Sequence, residues 1–163
     1  MKKLNFGCGE DVKEGYDNID IQKGPKIIKS FDFDKFPYPL KDDLYDYVYC
    51  RNVLEHLEEP NKILNELWRI CKNKAVIEII VPYYNNKSAF GDFNHKHYFS
   101  EQCFLDYANE YNVTDKRKRY HIETLELVPT IVGKFIPKII RDKLSLFLGG
   151  IISYIYIKLE VNK

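Results

Sequence analysis

The sequence predicts an α/β domain built on a mostly parallel sheet with crossover helices. Three observations carry that prediction. Strand-like and helix-like segments alternate over residues 1 to 100. A glycine turn directly follows the first strand. A nearly continuous apolar strand, Ala75–Val81, follows the one clear helix, as expected of a parallel strand covered on both faces.

In chain order, the strand candidates are Lys3–Phe6, Asn18–Ile21, Lys26–Ser30, Tyr45–Cys50 and Ala75–Val81. Glu78 interrupts the last of these, and the sequence offers no account of that charge. The helix opens at Pro60, which suits a first-turn position. It carries Ile63, Leu64, Leu67, Trp68 and Cys71 at helical spacing. Past residue 82 the character changes. Residues 83 to 100 are rich in Tyr, Asn, His and Gly and read as a functional loop. Gln102 to Glu110 reads as a short helix, and Tyr120–Leu127 and Ser153–Val161 read as strands. Residues 129 to 152 hold one or two helices. No repeat, low-complexity tract or internal boundary divides residues 1–163, so one domain is expected.

Composition narrows the class. A net charge of +1 argues against a dedicated nucleic-acid binder. The basic run Lys116-Arg117-Lys118-Arg119 reads as a solvated turn. Cys8, Cys50, Cys71 and Cys103 lie far apart, without the paired spacing of a zinc knuckle or a disulfide framework. The first strand begins at Lys3, so no signal leader is expected and the cytoplasm is the simplest setting. The longest apolar run, Leu144 to Ile157, is shorter than the roughly 20 residues of a spanning helix and reads as a helix running into a strand.

The motif-bearing residues lie just after predicted strands. In Leu-Asn-Phe-Gly-Cys-Gly-Glu, positions 4 to 10, Gly7 and Gly9 allow a sharp turn and close approach to a ligand. Asp20, in Asn-Ile-Asp-Ile, can accept two hydrogen bonds from a vicinal diol such as a ribose offers. Only ten residues separate Gly9 from Asp20, against about 20 where a full crossover helix intervenes. The first crossover is therefore expected to be shortened, no helix is expected ahead of the first strand, and the crevice should be open on that side.

The partner motif is Asp46-Tyr-Val-Tyr-Cys-Arg-Asn-Val-Leu-Glu-His-Leu57. Set beside the glycine turn and Asp20, it makes the chain resemble a class I S-adenosylmethionine-dependent methyltransferase. Phe31-Asp-Phe-Asp-Lys-Phe-Pro-Tyr-Pro39 is similar to that family's segment after the third strand. The resemblance covers roughly residues 3 to 82. It implies a Rossmann-like three-layer sandwich whose carboxy-terminal strand is antiparallel, with residues 3–82 as cofactor core and 83–163 as substrate side. It also implies S-adenosylmethionine as cofactor. Phe6, Gly7, Cys8 and Gly9 would meet the methionyl part, the Gly7–Gly9 segment through backbone amides. Asp20 and Ile21 would take the ribose, and Asp32 and Phe33 the adenine. The backbone of Cys50 and Arg51 would flank the sulfonium.

Gly91-Asp-Phe-Asn-His-Lys-His-Tyr-Phe-Ser100 resembles a segment that related methyltransferases carry after the fifth strand. His95 is the candidate proton acceptor, with Asp92 and His97 behind it; a purely structural hydrogen bond is the other reading of His95. No metal is expected there, because residues two apart on an extended segment diverge. His56 reads as a packing residue near the cofactor, and Cys8 as a small residue between glycines. The acceptor is unidentified: a small molecule, a glycan or a lipid-linked compound. Weak membrane association through Phe135–Ile152 and closure of the open site by a second copy of the chain are further expectations. A non-catalytic cofactor-binding subunit is the rival reading. A nicotinamide-dependent oxidoreductase ranks lower, since the turn lacks a third glycine.

Overall fold

Alternating apolar side chains and short polar connections set seven strands, seen in a computed structural model that describes residues 1–110 and 119–163. They are β1 (Lys3–Phe6), β2 (Asp17–Asp20), β3 (Lys29–Ser30), β4 (Tyr45–Arg51), β5 (Cys71–Pro82), β6 (Tyr120–Pro129) and β7 (Ile152–Val161). The sheet order is β3-β2-β1-β4-β5-β7-β6. β1 to β5 pair in parallel, and β7 runs antiparallel to both neighbours. Strand order reverses between β1 and β4. That reversal puts a ligand crevice at the carboxyl edge, just beyond Phe6 and Arg51.

One face of the sheet carries the core. Leu4, Val48, Ile77 and Leu159 sit side by side across four strands and are essentially unexposed. Cys50, Ile79 and Ile157 form the next row. Helix α1 (Pro60–Ile70) lays Ile63, Leu64, Leu67 and Ile70 on these rows. After α2 (Lys87–Phe90), helix α3 (Glu101–Glu110) packs beside α1, its Tyr107 hydroxyl 3.3 Å from Asn65 Oδ1. Tyr120 of β6 donates to the Leu64 carbonyl at 2.5 Å.

The other face differs from expectation. β5 is not covered on both sides: Val76, Glu78 and Ile80 alternate with fully buried neighbours and remain half-buried. Tyr47, Tyr49, Tyr156 and Lys158 on the adjoining strands share that state. This explains Glu78. Its carboxylate accepts the Tyr47 hydroxyl and lies 3.9 Å from Lys158 Nζ on a face where a charge keeps access to water.

The shortened first crossover forms no helix. Its backbone groups still need partners, and Asn5 and Asn18 supply them. Asn5 Nδ2 donates to the Asp11 carbonyl at 2.7 Å and to Asn18 Oδ1 at 2.8 Å. Asn18 accepts from Lys13 N at 2.9 Å and donates back to the Lys13 carbonyl. The third strand is shorter than its sequence suggested, because Ile27 N turns back to the Gly24 carbonyl and leaves only Lys29–Ser30 paired. β5 is longer at both ends than Ala75–Val81.

Residues 129 to 152 contain a 3₁₀ turn, Gly133–Phe135, and helix α4 (Lys138–Leu144). β6 runs in the direction of β5, so this connection lies at the crevice edge. Of the basic run, Lys116, Arg117 and Lys118 fall outside the described residues. No described helix is long and apolar enough to cross a membrane.

Candidate active site

Gly7 and Gly9 hold φ of 68° and 47°, the left-handed region that favours glycine. A Cβ on Gly7 would stand 2.4 Å from Val53 Cγ2, so this glycine lets the turn lie against the segment following β4. Around Gly9 the space is open to 4 Å. The turn's amides are spent internally. Gly7 N and Cys8 N both donate to the Ile19 carbonyl at 3.0 Å, and Gly9 N donates to Asp20 Oδ2 at 2.7 Å. The amides are thus not free for a methionyl group as the sequence reading had them. The turn's remaining offer is carbonyl oxygens, which suit an ammonium. Asp20 Oδ1 accepts Gln22 N at 3.0 Å. Each carboxylate oxygen keeps a further lone pair.

Two cavities flank the turn. One of about 520 Å³ is lined by Gly9, Glu10, Asp20, Gln22, Lys26 and Ile27. The other, about 220 Å³, is lined by Gly7, Cys8, Asp11, Tyr49, Arg51 and Asn52. Ile21 is exposed beside the first. Phe6 and Cys50 are fully buried, so only their backbones face the crevice. Phe33 is buried too, stacked on Phe6 with ring centres 4.2 Å apart. Asp32 accepts Asp34 N at 3.0 Å and lies 3.5 Å from Lys35 Nζ. Both stand outside the two cavities. Burial and the Asp20 charge push the Cys8 thiol up, away from a reactive thiolate.

Beyond β4 a 3₁₀ turn, Leu54–His56, rotates Glu55 inward to 1% exposure. Both of its carboxylate oxygens are buried without a hydrogen-bond partner among the described residues. Its backbone carbonyl straps down the 83–100 loop, accepting Lys96 N at 2.7 Å and His97 N at 3.1 Å. That strap brings His95 over His56, with ring centres 4.6 Å apart. His95 Nδ1 lies 2.7 Å from the Ala89 carbonyl. His97 turns away, Nε2 lying 3.1 Å from the Glu58 carbonyl. The structure therefore separates His95 from His97 and joins it instead to Glu55 and His56. Burial pushes the Glu55 carboxyl up to about 7 against smaller lowerings by its own backbone amide and by His95, and Asp92 adds slightly to the rise. Burial, then His95, push His56 down. The sequence reading missed Glu55, since an acid near a helix start normally faces water.

Residues 15–79 match the family described as Methyltransferase domain. A solved S-adenosylmethionine-dependent methyltransferase from Archaeoglobus fulgidus is similar over 98% of this chain and 86% of its own, with a TM-score of 0.71 at 19% identity. Over residues 15–79 the chain is similar to a methyltransferase domain, and its fold is that of class I S-adenosylmethionine-dependent methyltransferases. The [4+2]-cyclase SpnF shares the fold, with a TM-score of 0.63 at 13% identity over 99% of this chain and 74% of that one. Among curated relatives, the uncharacterized protein MJ0638 of Methanocaldococcus jannaschii is 27% identical over 165 residues. The match takes in 93% of this chain and 66% of that protein's length.

The methyltransferase family implies S-adenosylmethionine, and the donor set suits it. Asp20 has lone pairs for a ribose diol, the glycine turn has carbonyls for the ammonium, and exposed Arg51 suits the methionyl carboxylate. A third cavity of about 480 Å³ is lined by Tyr83, Tyr84, Tyr98, Ser100, Glu101 and Leu146, among others. Tyr83 Oη and Glu101 Oε2 are buried there without partners among the described residues.

The Glu55 environment predicts a pH signature. Folded, its carboxyl keeps the proton up to about pH 7; unfolded, it releases it near 4.5. The protonated form therefore favours the folded chain fully below pH 4.5, and that contribution is lost as pH rises through 7. In EDTA-containing buffer, Glu55→Gln should gain on wild type between pH 5 and pH 8 by roughly 5 °C in Tm, read by thermal denaturation. A difference that stays constant with pH would contradict the assignment.

Proposed function

We propose that this methyltransferase domain methylates a hydroxyl of a membrane-attached acceptor, a lipid or lipid-linked glycan. The observation that carries this reading is a set of exposed apolar side chains on the 129–152 connection, one of which lines the third cavity. Ile131, Val132, Phe135, Ile139, Phe147 and Leu148 are all at least half exposed, and Leu146 belongs both to this surface and to the cavity lining. Lys134, Lys138 and Lys143 are exposed among them. Apolar side chains interleaved with lysines suit the boundary between acyl chains and anionic headgroups.

S-adenosylmethionine supplies a methyl group already activated on a sulfonium, so the protein's work is alignment and exclusion of water. Asp20 and the Gly7–Gly9 turn hold the donor at the carboxyl edge. The Tyr84 and Tyr98 rings offer flat contacts to a sugar or other ring. Tyr83 Oη and Glu101 Oε2, buried at the cavity without partners among the described residues, hydrogen-bond acceptor hydroxyls. The acceptor's proton leaves at the Glu55–His56–His95 cluster. There the Nδ1–H of His95 donates to Ala89 O, leaving Nε2 as the acceptor nitrogen.

Calorimetric titration with S-adenosylmethionine should show micromolar binding, weakened about tenfold or more in Asp20→Ala, the loss of one or two charge-assisted hydrogen bonds. A wild-type affinity unmoved by the variant would remove Asp20 from the donor site. Flotation with vesicles of anionic phospholipid should carry the wild-type chain upward and leave a Phe135→Ser/Phe147→Ser variant at the bottom. Wild-type protein that stays down, or that buries this surface in a dimer by sedimentation, would overturn the membrane-attached acceptor.

A further inference from the structure

We propose that Glu55, His56 and His95 form a binding site for a divalent first-row transition-metal ion. One donor atom from each of the three residues lies within 4.8 Å of the other two. The central observation is the Glu55 carboxylate. It is 1% exposed, and neither oxygen has a hydrogen-bond partner among the described residues. A buried carboxylate without partners is costly, and a native structure keeps one where something absent from the bare chain completes it.

The two histidines supply the second, independent observation. His95 Nδ1 faces the Ala89 carbonyl at 2.7 Å, which places the proton there and leaves Nε2 as the nitrogen with a free lone pair. A ring nitrogen bonded to a backbone carbonyl is the usual support of a metal-bound imidazole. His56 stands edge-on against it, ring centres 4.6 Å apart, and brings the second imidazole to the cluster. The loop that carries His95 is tied to the backbone carbonyl of Glu55 itself, so all three donors are held by one strap.

Two imidazoles and one carboxylate select the kind of ion. Calcium and magnesium prefer oxygen-only shells, whereas Zn²⁺, Co²⁺, Mn²⁺ and Fe²⁺ accept mixed nitrogen and oxygen ligands. With bonds of about 2.0–2.1 Å a tetrahedral site needs donor separations of about 3.3 Å. Since all three donors lie within 4.8 Å of one another, the widest pair would close by at most about 1.5 Å, within reach of side-chain torsions. Three protein ligands leave a position open for an acceptor oxygen, whose proton an ion would acidify; with His95 Nε2 then on the ion, that proton would pass to solvent instead of to His95. That use of the ion rests on the methyl-transfer reading; its binding does not.

The test is a Co²⁺ titration of EDTA-stripped protein without donor, followed by visible d–d absorption, with Zn²⁺ as competitor. One equivalent should bind, and Zn²⁺ should displace it. Glu55→Gln, which keeps the shape and removes the buried charge, and His95→Ala should each weaken binding about 100-fold or more. His97→Ala, outside the cluster, should bind as wild type does. Asp20→Ala should also keep its Co²⁺ site, so a failed donor site and a failed metal site give different results. Wild-type binding no tighter than that of Glu55→Gln would overturn the proposal, as would equal losses in His97→Ala and His95→Ala.

Discussion

The hydrogen bond from the Gly9 amide to the Asp20 carboxylate ties together the two strand ends on which the crevice is built. It closes a turn whose other amides reach the carbonyl of Ile19, one residue before Asp20 on β2. Turn and acid are therefore one object. Gly7 must be glycine to pass Val53, Gly9 takes a left-handed φ that glycine favours, and Asp20 must be acidic to receive the amide at the edge where strand order reverses. A carboxylate fixed in this way by backbone donors needs little reorganisation to receive a diol, which is what a preformed ligand site requires.

The same economy shapes the rest of the sheet. A first crossover too short for a helix leaves one face without the usual apolar cover. The chain answers with polar chemistry. Asn5 and Asn18 satisfy the connection's backbone, Lys13 Nζ sits 4.4 Å from the Tyr49 ring centre, and Tyr16 meets Tyr47 edge to face. α1 and α3 bear the apolar burial on the opposite face, so the core is one-sided. The candidate site residues gather instead at the carboxyl edge. The glycine turn, the Glu55 turn, the 83–100 loop and the 129–152 connection all meet there.

Much of this was legible in the sequence, and the reasons differ by element. β4 was readable because buried Val48 and Cys50 alternate with half-buried Tyr47 and Tyr49, and β1 because a glycine turn ends a short run of buried residues. α1 was readable from Pro60 and its spaced apolar residues. β5 misled because Val76 and Ile80 are apolar on a face that water reaches; Glu78 was the one residue reporting the true environment. The third strand was overread because Ile27 and Ile28 look strand-like while Gly24 bends the chain back. At the site, Asp20 and the glycines announced themselves by type and spacing. Phe33 could not, since a phenylalanine after a strand suits a core stack or an adenine equally well, and the structure stacks it on Phe6. Glu55 was hidden because its burial depends on a 3₁₀ turn and a loop forty residues away in sequence, neither of which has a local signature.

The most direct test of the account is a crystal structure of the chain with S-adenosylmethionine. The account places the ribose hydroxyls on the Asp20 carboxylate, the methionyl ammonium on carbonyls of the glycine turn, and the methyl group facing the 83–100 loop. A donor bound elsewhere, or an Asp20 carboxylate that touches only Gly9 and Gln22 while the donor occupies the edge without it, would contradict that account.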